Sequence, residues 1–216
     1  MPSTKDIVIG KALKIQLNGK PGAGKTGMAG SFHKHGPMRV FDFDNKLGII
    51  KSLYPEIDIR YDNYGSDNFQ NFMSDWESLQ DKCPWKVILV DSLTTLSNTC
   101  VVYQLLVKGK MGKTTKGGVQ TSGYDEINGE TAIITKMLEI MNVINKKFEA
   151  TVILTTHPVA KIEGTGENAV KTTSIAAYGF KVPSLVPSYF DEIYHVKVDR
   201  IGLNTLRRKI LTFPRS

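Results

Sequence analysis

Apolar residues alternate with polar ones, or run uninterrupted, in five short stretches: residues 12–17 (ALKIQL), 38–43 (MRVFDF), 57–61 (IDIRY), 86–91 (KVILVD) and 151–156 (TVILTT). That spacing predicts β-strands. Between the third and fourth, Phe69, Phe72, Met73, Trp76 and Leu79 recur at the helical period behind two candidate caps, Ser66 and Asp67. A second helical stripe joins Ile127, Ile133, Ile134, Met137, Leu138, Met141 and Ile144. Strand and helix patterns therefore alternate, which predicts an α/β fold with a mostly parallel twisted sheet flanked by helices. Near the end, DEIYHVKV and TLRRKILTF alternate on either side of the turn segment DRIGLN, so a C-terminal β-hairpin is expected. Residues 107–124 and 158–178 are rich in Gly, Thr and Lys, show no period and read as two long loops, of the kind that usually carries function or is disordered. No repeat or compositional boundary divides the chain, and residues 1–216 read as one domain.

Composition narrows this picture. A chain of 216 residues with 41% hydrophobic content can bury a core without disulfide or metal support. Its two cysteines, Cys83 and Cys100, lack metal-site spacing and are expected to be reduced and buried. No aliphatic run approaches the roughly 20 residues of a membrane span, and the first residues carry no signal-peptide apolar region, so a cytoplasmic protein without a membrane partner is expected. The net charge of +7 permits an acidic partner. That charge has a location: no residue between Asp91 and Asp125 is acidic, and Lys108, Lys110, Lys113 and Lys116 fall in this interval. They are candidate contacts for nucleic-acid phosphates, although a solvated loop would have the same composition.

The first predicted strand runs into NGKPGAGKTG, which satisfies G-x-x-x-x-G-K-[ST] with Gly19, Gly24, Lys25 and Thr26. Glycines let backbone N–H groups turn toward a polyphosphate, the next helix presents its positive end, and the lysine reaches the outer phosphates. ATP is therefore the expected ligand, held by Gly19, Pro21, Gly22, Ala23, Gly24, Lys25, Thr26 and Gly27. The Thr26 hydroxyl can ligate Mg²⁺, and WKVILVDS supplies a second ligand at a strand end in Asp91. Ser92 follows Asp91, so a carboxylate that orients or deprotonates water must come from elsewhere. The strand ending VFDFDN offers Asp42 and Asp44 on one face, with Asp44, nearer the end, the favoured choice. A third strand end offers His157, which would sit beside the γ-phosphate if that strand neighbours the P-loop strand.

In this order, GKPGAGKT, a strand ending DFD, VILVDSLTTL, VILTTH, FDEIYHVKV and a basic hairpin resemble the RecA-like ATPase core. Within that superfamily the compact length resembles phage-encoded RecA-like proteins of single-strand annealing and recombination, acting in the host cytoplasm. The resemblance implies that Asp44 activates water, where such proteins usually carry the longer Glu, and that His157 senses the γ-phosphate. It also implies that residues 107–124 and 158–178 correspond to two DNA-binding loops. It implies a ring or filament of identical subunits, each ATP site being completed by a neighbour's basic residue. Arg200, Arg207, Arg208, Lys209 and Arg215 lie in the relevant region, with Arg215 at the finger's place. The expected partners are single-stranded DNA, further copies of the chain and a single-strand DNA-binding protein. Two other classes compete: a P-loop kinase for a nucleotide or other small molecule, and a nucleotide-gated DNA-binding module with negligible turnover.

Overall fold

The computed structural model describes residues 12–57, 59–108, 124–163, 170–179, 181–201 and 205–212. The five predicted strands all form: β1 Lys14–Asn18, β2 Met38–Asp42, β3 Ile59–Asn63, β4 Val87–Asp91 and β5 Thr151–Thr156. With the C-terminal hairpin of β8 Glu192–Ile201 and β9 Thr205–Thr212 they build a seven-stranded sheet of order β3-β2-β4-β5-β1-β8-β9. Every pair is parallel except β8 with β9. A parallel sheet covered on both faces needs strands apolar on both faces, and β2 and β4 are buried throughout.

The pleat sorts these side chains into two layers. Ile15, Leu17, Val40, Leu89 and Ile153 face α1 Lys25–Gly30 and α2 Gly48–Leu53, meeting Ala29 and Ile50. Phe41, Ile88, Val90, Val152 and Leu154 face α3 Phe69–Ser78, α4 Leu93–Lys108 and α5 Tyr124–Phe148. The two predicted stripes lie in this second layer, with Phe69, Phe72, Trp76, Ile134, Met137, Leu138, Met141 and Ile144 buried. Phe72 sits in an aromatic cluster with Phe41, Phe43, Tyr64 and Trp76. Trp76 Nε1 donates to the Met137 carbonyl at 3.1 Å, tying α3 to α5. Asn68, rather than Ser66 or Asp67, is the residue directly before α3. Cys83 and Cys100 are buried free thiols.

Two features depart from the expected pattern. Residues 158–178 are not a loop throughout: β6 Pro158–Glu163 and β7 Val170–Ile175 pair antiparallel, from Pro158 opposite Ile175 to Glu163 opposite Val170. Lys161 and the consecutive Lys171, Thr172 and Thr173 blur the period there, since the two strands form their own small sheet and need no continuous apolar face. Helix α4 also has no clean apolar stripe, because Ser97, Thr99 and Gln104 occupy buried positions. Ser97 accounts for part of this, since its hydroxyl donates to Glu130 on α5 and accepts the Tyr178 N–H at 3.0 Å. The helix extends through Lys108, so the lysine-rich segment starts later than residue 107. A short helix α6, Val182–Leu185, precedes β8. No helix among the described residues is long and apolar enough to cross a membrane.

Phe72 is fully buried and meets the rings of Phe41, Phe43, Tyr64, Phe69 and Trp76. Phe72→Ala should destabilise the protein by about 3–5 kcal/mol, the transfer term plus the cavity left behind. Urea unfolding monitored by Trp fluorescence checks it. A loss below about 1 kcal/mol would mean that the cluster collapses around the gap.

Candidate active site

β1, β5, β4 and β2 stand side by side and end at the same edge of the sheet: Asn18 pairs with Thr156, Val90 with Leu154, and Asp42 with Asp91. The chain leaves β1 through Gly19, whose N–H bonds to the Thr156 carbonyl at 3.2 Å. A Cβ on Gly19 would fall 2.5 Å from the Val196 carbonyl of β8, so only glycine fits this passage. Gly24 has φ +96°, the left-handed conformation that turns successive N–H groups inward, and it directly precedes α1. Gly22 shares the left-handed conformation, at φ +76°. Pro21 and Gly22 are exposed at the crest of the loop, and Ala23 is buried beneath it. Gly27 has a different surrounding: a Cβ there would lie 2.7 Å from Leu53 Cδ1, so this glycine brings α1 close to α2.

Inside the loop, Lys25 Nζ donates to the carbonyls of Gly19 at 2.7 Å and Lys20 at 3.2 Å, and lies 3.2 Å from His157 Nδ1. The same Nδ1 lies 3.3 Å from the Gly19 carbonyl, so Lys25 and His157 converge on one acceptor. Thr26 Oγ1 donates to Asp91 Oδ2 at 2.7 Å, while the Thr155 hydroxyl donates to Oδ1. Thr26 and Asp91 thus place two hard oxygens together at the mouth of the loop. Among the described residues no group of three or more His, Cys, Asp or Glu could hold a metal. A Mg²⁺ ion on this pair would take its remaining ligands from phosphate and water, its usual preference, so the donor set fits the ion.

The two candidate carboxylates have separate tasks. Asp42, buried at the end of β2, accepts backbone N–H groups from Asp44 at 3.0 Å, Lys46 at 2.9 Å and Leu47 at 3.2 Å, and so shapes the turn that carries Asp44. Asp44 faces the cradle. Its Oδ1 accepts from Ser92 Oγ at 2.8 Å and from the Thr95 hydroxyl, and its Oδ2 from Lys46 Nζ at 3.1 Å. His157 Nε2 lies 3.7 Å from the same Oδ2. The imidazole therefore stands between the P-loop lysine and this carboxylate.

A model of the AAA domain family AAA_24 matches residues 11–215. The chain belongs to this family. No curated protein matches it. The match and the sheet together give the AAA domain a P-loop ATPase-like fold, closed at its C-terminal end by the antiparallel β8–β9 pair.

Electrostatics in this AAA domain follow from burial and partners. Burial pushes the Lys25 ammonium down to about 8, with the nearby Asp91 and Asp44 charges offsetting only part of the effect. Burial, reinforced by Asp91, raises the Asp42 carboxyl above its ordinary value despite its three N–H donors. Burial works the same way on Asp44, but bonds from His157, Thr95, Ser92 and Lys46 outweigh it and hold the carboxyl well below the usual carboxylate range.

The basic residues of the hairpin divide between its faces. Arg208 on β9 reaches the P-loop of its own chain: a Cβ on Gly24 would lie 2.8 Å from Arg208 Nε. The resemblance implies Arg208 among the candidates for a neighbour's site; the β8–β9 register, which spacing alone does not give, brings it against the P-loop of its own chain. Arg207 pairs with Asp199 across the strands, and Lys209 forms a 2.5 Å ion pair with Asp199. Lys108 ends α4, while Lys110, Lys113, Lys116 and Arg215 lie outside the described residues.

Two outcomes are expected. A polyphosphate beside Lys25 restores its charged form, so nucleotide binding at pH 8 should take up about half a proton, and affinity should fall as pH rises through and above 8. Calorimetry in buffers of different ionisation enthalpy measures this; zero uptake would mean that Lys25 is already fully charged. Arg208→Ala should weaken nucleotide binding roughly tenfold or more, the scale of one charge-assisted hydrogen bond. The loss should be the same in dilute protein and should not be rescued by mixing with Lys25→Ala chains, whereas rescue would place Arg208 in a neighbour's site.

Proposed function

We propose that this AAA domain binds and hydrolyses ATP with Mg²⁺, and that it works on single-stranded DNA as a RecA-like oligomer promoting annealing or homologous recombination. The observation that carries the reading is the meeting of Lys25, Thr26, Asp91, Asp44 and His157 within hydrogen-bonding or ion-pair reach at one edge of the sheet. In the proposed cycle Lys25 exchanges the Gly19 and Lys20 carbonyls for outer phosphate oxygens. Thr26 and Asp91 would hold Mg²⁺, which would supply charge neutralisation to the phosphates. His157 turns from Asp44 toward the γ-phosphate, and the vacated carboxylate position receives the attacking water. Support for DNA comes from the likeness to RecA and from the lysines at 108, 110, 113 and 116; a finger such as Arg215 from a neighbouring subunit belongs to the same reading. A cytoplasmic setting and a single-strand DNA-binding protein as additional partner complete it.

A second reading, the nucleotide-gated DNA-binding module, is favoured by the donors crowded around Asp44, which make it a weak proton acceptor as it stands. The kinase reading is disfavoured, since no arginine lies between Arg60 and Arg200 to close over a transferred phosphate.

The test is ATP hydrolysis with and without single-stranded DNA. Lys25→Ala should abolish turnover in a folded protein. Asp44→Asn should keep nucleotide affinity and slow hydrolysis by about 10²–10⁴-fold, the range for loss of a general base. A larger effect from Asp42→Asn would reassign the carboxylate. DNA binding that depends on ATP without any turnover would favour the gated module, and phosphate transfer to a small molecule the kinase.

A further inference from the structure

Beside the P-loop, on the α5 face of the sheet, a trough of about 860 Å³ opens between the loop, the β6–β7 hairpin and β8. It shares residues 18–23 with the nucleotide cradle, but Lys25, Thr26, Asp44 and Asp91 do not line it. Its volume lies within the roughly 300–1,000 Å³ of small-ligand sites. Its chemistry is uneven. Asn18 lines it, is 5% exposed, and its Oδ1 has no hydrogen-bond partner among the described residues. A buried amide oxygen without a donor is unfavourable, so a ligand N–H would be favoured there. Exposed Lys20 and Lys197 contribute positive charge to the rim, and the acid on the lining, Asp199, is taken by Lys209. A fitting occupant is anionic and carries an N–H donor.

We propose that this trough seats one nucleotide unit of a bound single strand, its phosphate on Lys20 and Lys197 and a base N–H on Asn18 Oδ1. The proposal rests on the single-stranded DNA reading given above and assigns it a place in the fold. Every base carries an N–H on its Watson–Crick edge, so one amide oxygen accepts any of them and the site tolerates all sequences. The trough is also wired to the nucleotide cradle. Its hairpin wall is rooted where Ala176 N–H bonds to the His157 carbonyl at 2.8 Å, and Thr94 Oγ1 accepts the His157 N–H at 3.3 Å while donating to the Ala176 carbonyl at 3.1 Å. Filling the trough therefore bears on the residue that faces both Lys25 and Asp44.

The experiment uses the full chain carrying Thr173→Cys, an exposed position on the hairpin wall; the native thiols Cys83 and Cys100 are buried. Alkylation of the new thiol is timed alone, with a non-hydrolysable ATP analogue, with mononucleotides, and with a mixed-sequence single-stranded oligonucleotide whose binding is followed by anisotropy. The single strand should slow alkylation at least about tenfold, with the analogue and mononucleotides leaving it unchanged. Lys197→Glu should weaken strand affinity about tenfold and reduce the salt slope by about one. Protection by the ATP analogue or by mononucleotides alone would give the trough to a free nucleotide and overturn the proposal. A strand that binds but neither protects the thiol nor responds to Lys197→Glu overturns the trough and leaves the DNA reading intact. Failure of the unmodified protein to hold a single strand overturns both.

Discussion

The register of four parallel strands constrains everything else in this molecule. With β5 between β1 and β4, the P-loop strand and the Asp91 strand never touch; β5 alone spans the gap, and the Thr155 hydroxyl near its end is bonded to Asp91. If β5 slipped by one residue, Thr155 would turn to the opposite face and Leu154 would enter the cradle. The apolar residues of β2, β4 and β5 fix this register because both faces are packed, so the core and the polar edge are two aspects of one alignment. The carboxylates, the lysine and the histidine meet without any flexible segment having to carry them.

That edge concentrates buried charge, and the protein manages it by partnering. Asp42 and Asp44 are two residues apart, yet one is raised and the other lowered, because burial prevails at Asp42 despite its backbone N–H donors, while hydroxyls, an ammonium and an imidazole outweigh it at Asp44. Lys25 is the counterpart: buried among carbonyl oxygens, it loses part of its preference for the charged form. A polyphosphate entering such a site meets a cation whose bonds to the loop are replaceable at little cost. Pre-alignment of donors with modest internal partners is what electrostatic preorganisation requires.

Much of this was legible from the sequence because it depends on local periodicity. β1, β2, β4 and β5 are short and largely apolar, β3 is short and half-exposed, and the P-loop has fixed spacing, so these follow from nearest neighbours in the chain. The position of His157 beside the P-loop also followed, since it needs only that two strands be adjacent. The rest depends on contacts distant in sequence. Helix α4 buries Ser97 and Gln104 against partners far along the chain, which erases its stripe. The β6–β7 hairpin pairs only with itself, so its alternation lacks the apolar contrast of the main sheet. Arg208 required the β8–β9 register to be known before its side chain could be placed over Gly24. That the turn itself bonds to Asp42 depends likewise on backbone N–H positions that spacing does not give.

The hairpin that ends the sheet has one more consequence. β9 is an eight-residue strand with no neighbour in the sheet on its outer side among the described residues, a length at which unpaired N–H and C=O groups could template pairing with another chain. Its middle reads Arg207, Arg208, Lys209, three consecutive exposed cations on the open edge. A second β9 approaching that edge would bring like charges into opposition, so the run that carries Arg208 to the nucleotide loop also guards the sheet against indefinite edge-to-edge growth. Substitutions chosen to neutralise this run would remove a barrier to aggregation along with any contact to phosphate.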